Sequence, residues 1–277
     1  MTRYGMVIDI TRCNGCYNCF LTCRDEYCGN DHSPFSAAQP ERGQFWMRII
    51  ERERGKYPHR VKVAYMPIPC MHCDDAPCVK AAQNGEIYRD KDGMVIIDPV
   101  KAKGQKYLVS TCPYRVIYWN EEKQLPQKCT FCAHLLNDGW KEPRCVEACP
   151  TGALVFGDLD DPESEVSKLV ASGKTEVLHP EYNLKEKVTY IGLPKRFIAG
   201  SVIFGDTDEC AANVSVTISA SGDNKTVETD NFGDFEVDGL QADTRYSVQI
   251  KHSGYKSTEL EAFTKTDVYL GEIVISK

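Results

Sequence analysis

The sequence predicts an α+β chain in two parts: a front half folded around cysteines, then an all-β sandwich. Three observations predict it. Thirteen of the fourteen cysteines lie before residue 150, in short fixed spacings. From Ile198 onward apolar residues alternate with polar ones, as in Val214/Val216/Ile218, Phe235/Val237, Tyr246/Val248/Ile250 and Val268/Leu270, the period of half-buried strands. Charge divides at the same place: residues 198–277 hold 6 Lys+Arg against 14 Asp+Glu, and residues 1–197 hold 27 against 26. A length of 277 residues allows two domains. The acidic end disfavours nucleic acid as a partner and reads most simply as a solvated surface.

The first part is organised by Cys13-x2-Cys16-x2-Cys19-x3-Cys23. This is the C-x2-C-x2-C-x3-C run of a bacterial ferredoxin, whose first three thiolates wrap one [4Fe–4S] cubane while the fourth ligates the other. A partner run is therefore expected, and Cys129-x2-Cys132-x12-Cys145-x3-Cys149-Pro150 supplies it. The crossed rule gives one site to Cys13, Cys16, Cys19 and Cys149, and another to Cys23, Cys129, Cys132 and Cys145. Zinc also uses C-x2-C pairs, but eight cysteines in two reciprocal runs fit it poorly. A disulfide scaffold suits a small secreted chain, not this one.

A second pair of runs is half erased. Cys70-x2-Cys73-x4-Cys78 lacks a fourth cysteine at Ala82. The run that should end at Cys112-Pro113 has Ala102, Gln105 and Leu108 where its other ligands belong. Under the crossed rule Cys70, Cys73, Cys78 and Cys112 form a complete site, and positions 102, 105, 108 and 82 are all lost together. Random loss would not respect that grouping. The count is three [4Fe–4S] clusters on twelve cysteines, with ordinary side chains packed into the fourth place. The pattern makes the front domain a pseudo-repeat.

In chain order, Met6–Ile10 reads as a strand leading into the first ligands. Residues 24–62 are a charged insertion in which Cys28 is a free thiol. In residues 41–54 the mixture of Phe45, Trp46, Arg48 and Arg52 has two readings, a docking surface or a strand half-buried through Phe45/Met47/Ile49; the alternation favours the strand. His72 lies between two ligands, where a hydrogen bond near the cluster sulfurs is favoured over a link to a partner or cofactor. Arg115 and Lys128 flank ligands and fit charge balance beside anionic clusters. Residues 86–99 form a hairpin about Asp92-Gly93, Val116–Trp119 starts another strand, and residues 151–158 close the core. Residues 162–170 read as a short amphipathic helix, and 180–197 as an extended crossing segment. The expected divisions are 1–158, an arm at 159–197, and 198–277, with Cys210 a buried filler. No leader precedes the first ligands in Met1–Asp9, and no apolar run approaches the roughly 20 residues of a membrane helix. The expected compartment is the cytoplasm, or the periplasm if a signal-bearing partner carries the folded chain out.

The four-run layout resembles the iron–sulfur subunits of the dimethyl-sulfoxide-reductase family of molybdopterin enzymes. Residues 52–58, 69–73, 118–122 and 127–130 resemble its transhydroxylase members. Residues 229–248 resemble the carboxypeptidase-regulatory or Cna-B type of β-sandwich. The resemblance implies a non-catalytic electron-transfer subunit. Its large partner holds molybdenum or tungsten on molybdopterin guanine dinucleotide and acts on a polyhydroxylated aromatic, or on an inorganic oxyanion in other members. A structural cluster subunit without a relay role and a free polyferredoxin are the alternatives. No nucleophile, acid–base pair or phosphate loop stands out in this chain.

Overall fold

The computed structural model describes residues 2–277, so Met1, where the reading of the N-terminus begins, lies outside the described residues. In chain order the elements are β1 (Tyr4–Asp9), α1 (Asn18–Tyr27), β2 (Arg48–Lys56), β3 (Arg60–Ile68), α2 (Pro77–Ala81), β4 (Ile87–Arg89), β5 (Val95–Ile97), β6 (Tyr118–Asn120), β7 (Leu125–Gln127), α3 (Ala133–Asn137), α4 (Arg144–Glu147), β8 (Leu154–Asp158), α5 (Glu165–Ala171) and β9 (Val188–Ile191). They are followed by β10 (Arg196–Phe204), β11 (Ser215–Ala220), β12 (Asp223–Glu228), β13 (Asp234–Leu240), β14 (Arg245–Lys251), β15 (Thr258–Phe263) and β16 (Val268–Ile275). The chain divides into two compact units, one of residues 1–51 and 64–193, the other of 52–63 and 194–277.

The first unit is threaded by β1, which pairs antiparallel with β8 and parallel with β9. Met6, Val7 and Ile8 are fully buried in this central position. Helix α4 ends at Glu147, and a short turn through Cys149 and Pro150 leads into β8 at Leu154. The hairpin of β4 and β5 forms as expected, Ile87 opposite Ile97. Asp90 accepts from the N–H groups of Asp92 and Met94, and Gly93 takes the left-handed φ of 76° that the turn needs. Helix α5 starts at Ser164, whose hydroxyl accepts from Ser167 N–H at 3.1 Å, an N-cap. Only Val166 of its apolar positions is buried, and Val170 stays exposed.

Three expectations are corrected here. Residues 159–193 are not a connecting arm. Strand β9 completes the β1 sheet, and residues 184–187 run along a ligand loop, with Lys187 N–H on Met71 O, Asp74 N–H on Lys185 O and Asp75 N–H on Leu184 O. In residues 44–47 the alternation is broken. Gln44 is left-handed (φ 49°), so Trp46 and Met47 both turn inward and Phe45 outward. Trp46 is therefore core, with its indole N–H on Gln44 Oε1 at 2.9 Å. Cys210 is exposed rather than a buried filler, because it lies beyond β10 on an isolated bridge to Ile203.

The second unit is the expected sandwich: one sheet in the order β13-β10-β16, the other β12-β11-β14-β15. Val214, Val216, Ile218, Phe235, Val237, Tyr246, Val248 and Ile250 are all buried. Val268 and Leu270 are only half-buried. The β10–β16 register shifts between Ala199 and Ser201, opposite the left-handed Gly271, so the inward parity passes to Ile273 and Ile275. The tip of the β2–β3 hairpin belongs to this unit. Arg60 pairs with Glu236 at 3.0 Å, Lys62 with Asp238 at 2.7 Å, and the His59 ring stacks on Tyr269 at 4.3 Å.

Candidate iron–sulfur centres

Helix α1 carries two of the candidate donors. Cys19, Cys23 and Tyr27 recur at four-residue steps and are its buried residues, one above another on one face. A full helical turn, about 5–6 Å, separates Cys19 from Cys23. The chain enters this helix through Tyr17, left-handed at φ 62°, which swings Cys16 off the helix axis.

The thiols whose charges raise one another's pKa fall into three sets. Cys13 and Cys19 are affected by Cys16 and Cys149. Cys23 is affected by Cys129 and Cys132, and Cys145 by all three. Cys73 and Cys78 are affected by Cys70 and Cys112. Neighbouring sets are linked through the chain and through packing: Cys19 and Cys23 lie one turn apart on α1, and His72 of the Cys70 loop stacks on Phe131 of the Cys129 loop at 3.8 Å. Cys16 is exposed, whereas Cys23, Cys132, Cys145, Cys70, Cys73 and Cys78 are buried.

Burial is the first cause of each raised pKa. It pushes Cys19 and Cys129 up to about 12 and Cys78 and Cys132 up to about 11. Cys149 is the exception. Burial raises it too, but the N–H groups of Leu154, Ala153 and Thr151 and the Thr151 hydroxyl outweigh burial and lower it. On Cys132, the Tyr27 hydroxyl and the charge of Arg144 oppose burial.

A local rule recurs in three of the four C-x2-C loops, those opened by Cys13, Cys70 and Cys129. The residue before the second cysteine is left-handed in each: Gly15 (φ 71°), His72 (φ 45°) and Phe131 (φ 56°). This turns its N–H back onto the first sulfur. His72 N–H lies 3.5 Å from Cys70 Sγ and Phe131 N–H 3.4 Å from Cys129 Sγ, and the Gly15 N–H lowers the pKa of Cys13. Backbone concavities of this kind hold anions and Fe–S sulfurs. A Cβ on Gly15 would stand 2.6 Å from the Tyr65 ring. The left-handed Phe131 was not legible in sequence, since a bulky aromatic rarely takes a positive φ.

His72 is fully buried, stacked on Phe131 at 3.8 Å, with Nδ1 accepting from Val95 N–H at 3.0 Å. Burial first, then the charges of Lys128, Lys187 and Arg89, hold it neutral. It is a supporting group inside the unit, the favoured sequence reading. Arg115 is exposed, and Lys128 is buried. At the erased site Ala102 and Leu108 are fully buried, and Ala82 and Gln105 half-buried. Cys28 lies in no set; its sulfur sits 3.6 Å from Arg24 and 3.7 Å from Pro40 O.

The donor chemistry fits the cofactor. Each set offers four sulfurs, with peptide N–H groups aimed at sulfur in the loops, the environment of a thiolate-ligated cubane. Such cysteine sets on a strand-bounded pseudo-repeat define a ferredoxin-type iron–sulfur protein.

Residues 61–159 match the family model of the 4Fe–4S dicluster domain, and residues 198–269 that of the carboxypeptidase regulatory-like domain. The chain is 42% identical to the pyrogallol hydroxytransferase small subunit of Pelobacter acidigallici over 99% of both chains. It is 34% identical to the arsenate respiratory reductase iron–sulfur subunit of a Shewanella species, over 68% of this chain and 96% of that one. It is also 38% identical to the protein NrfC of Escherichia coli, over 62% of this chain and 73% of that one. The chain belongs to the family of oxidoreductase iron–sulfur subunits that contains the pyrogallol hydroxytransferase small subunit. It is an iron–sulfur protein of the [4Fe–4S] kind with a regulatory-like β-sandwich at its end. No helix among the described residues is long and apolar enough to cross a membrane.

Proposed function

We propose that this chain carries three [4Fe–4S] clusters, on Cys13/Cys16/Cys19/Cys149, Cys23/Cys129/Cys132/Cys145 and Cys70/Cys73/Cys78/Cys112, and relays single electrons for a catalytic partner. The partner holds molybdopterin guanine dinucleotide with molybdenum or tungsten and acts on a polyhydroxylated aromatic. The observation that carries the relay is adjacency: Cys19 and Cys23 lie one turn apart on α1, the Cys70 and Cys129 loops meet through the His72–Phe131 stack at 3.8 Å, and Cys16 is exposed. The aromatic substrate rests on the full-length similarity to a pyrogallol hydroxytransferase subunit. Catalysis sits on the partner, since the buried chemistry of this chain is taken up by cysteines and their supports.

The same similarity favours a second reading. Hydroxyl transfer between aromatics is redox-neutral overall, so the clusters would then prime or stabilise the complex without cycling. Purifying the chain with its partner, assaying metals and following the cluster spectra during turnover decides between them. The relay predicts about twelve iron atoms per chain, molybdenum or tungsten in the complex, and clusters that change oxidation state with substrate. Clusters that stay in one state through many turnovers would leave the structural role, and about eight or sixteen iron atoms would overturn the ligand sets.

A further inference from the structure

Lys128 is 2% exposed and among the largest fully buried side chains. Its ammonium donates to the main-chain oxygens of Val95 and of Cys129, the latter at 2.9 Å. Among the described residues no carboxylate pairs with it. A buried cation held only by carbonyl dipoles is costly unless negative charge lies nearby. The nearest candidates are the ligands themselves. Lys128 precedes Cys129 in the chain. Through Val95 it is also tied to the other ligand loop, because the N–H of Val95 donates to His72 Nδ1 at 3.0 Å while its carbonyl accepts from Lys128. His72 in turn stacks on Phe131 at 3.8 Å. The lysine therefore sits where the Cys70 loop and the Cys129 loop meet. Its partners and theirs belong to the Cys70 and Cys129 loops and the Val95 strand, and none belongs to the Cys13 set.

We propose that Lys128 is a positioning residue for electrons: one fixed cation, shared by the Cys23 and Cys70 clusters, that raises both reduction potentials together and leaves the Cys13 cluster out of its reach. Reduction adds one negative charge to an already anionic cluster, and a cation in a low-dielectric interior stabilises that state more than the oxidised one. One charge acting on two adjacent clusters moves them in step, so an electron leaving the first site meets two successive sites biased alike. The inference rests on the three-cluster reading above.

The test uses the complex of this chain with its catalytic partner and a potentiometric titration followed by electron paramagnetic resonance. Lys128→Gln keeps a donor to the two carbonyls and removes the charge, whereas Lys128→Arg keeps the charge. In Lys128→Gln the midpoint potentials of two clusters are expected to fall together while the third stays at the wild-type value, and Lys128→Arg is expected to remain near wild type. Unchanged potentials in Lys128→Gln, a shift of all three clusters alike, or a shift of one alone would overturn the proposal. If Lys128→Gln does not retain its iron, Lys128→Met and Lys128→Arg decide: clusters held by Arg at wild-type potential and shifted in Met support the role. Loss of iron from every variant makes the lysine structural and overturns it. A wild-type complex without three separable cluster signals refutes the three-cluster reading itself. Three wild-type signals with no response to Lys128→Gln refute only the role of Lys128.

Discussion

Val216, Val248 and Ile250 on one sheet of the second unit, and Val202 and Phe235 on the other, close a mainly hydrocarbon interior. At the same depth in the first unit stand Cys23, Cys78, Cys132 and Cys145, thiols pushed well above their ordinary pKa by burial. The sandwich is complete with what the chain itself brings. The ferredoxin-type unit has packed polarisable sulfur where a core would have packed methyl groups, and its loops have spent three left-handed residues on aiming N–H groups at those sulfurs. The contrast shows two ways to fill an interior: one by burying apolar area, the other by folding around anionic inorganic cores that ligands and amides must surround.

Removing iron should separate the units most sharply. Chelation under reducing conditions is expected to unfold much of residues 64–193 while leaving the sandwich protected, read by hydrogen exchange resolved along the chain. Uniform loss of protection in both units would refute the contrast.

A smaller effect is expected from Gly15→Ala. The substitution forces a Cβ at φ 71° and to within 2.6 Å of the Tyr65 ring, a strain of about 1–2 kcal/mol for the left-handed residue before any clash. The Cys13 site should lose occupancy, up to about four iron atoms per chain, with the sandwich unaffected. Full iron content in this variant would show that the loop relaxes. The smallest expected effect lies in the second unit. Glu236→Gln removes the charge that Arg60 and Lys62 share, and because these cations are partly exposed the loss is about 1 kcal/mol. It should appear as faster exchange in residues 52–63 with unchanged iron; an iron loss there would mean that the units are coupled.

The iron–sulfur character was legible in the sequence because ligand spacing is a local signal. The sandwich was legible because its strands alternate cleanly. What escaped depended on partners far along the chain. Strand β9 looked like a crossing segment, since its reason to be a strand is β1, some 180 residues earlier. Trp46 was placed on the wrong face because a single left-handed residue, Gln44, shifts the parity after it. Lys128 was visible as a charge beside a ligand, but only packing shows that it is buried between two sites.

The pairing of Cys149 with Cys13 and Cys19 also orders events on the ribosome. At roughly 5–20 residues per second, the first ligand run waits many seconds before its last donor is made, and β1 waits longer for β9. Early thiols are thus open to whatever delivers iron, or to oxidants, throughout that interval. Synthesis without oxygen would protect the chain at its most vulnerable moment, before its ligand runs are complete.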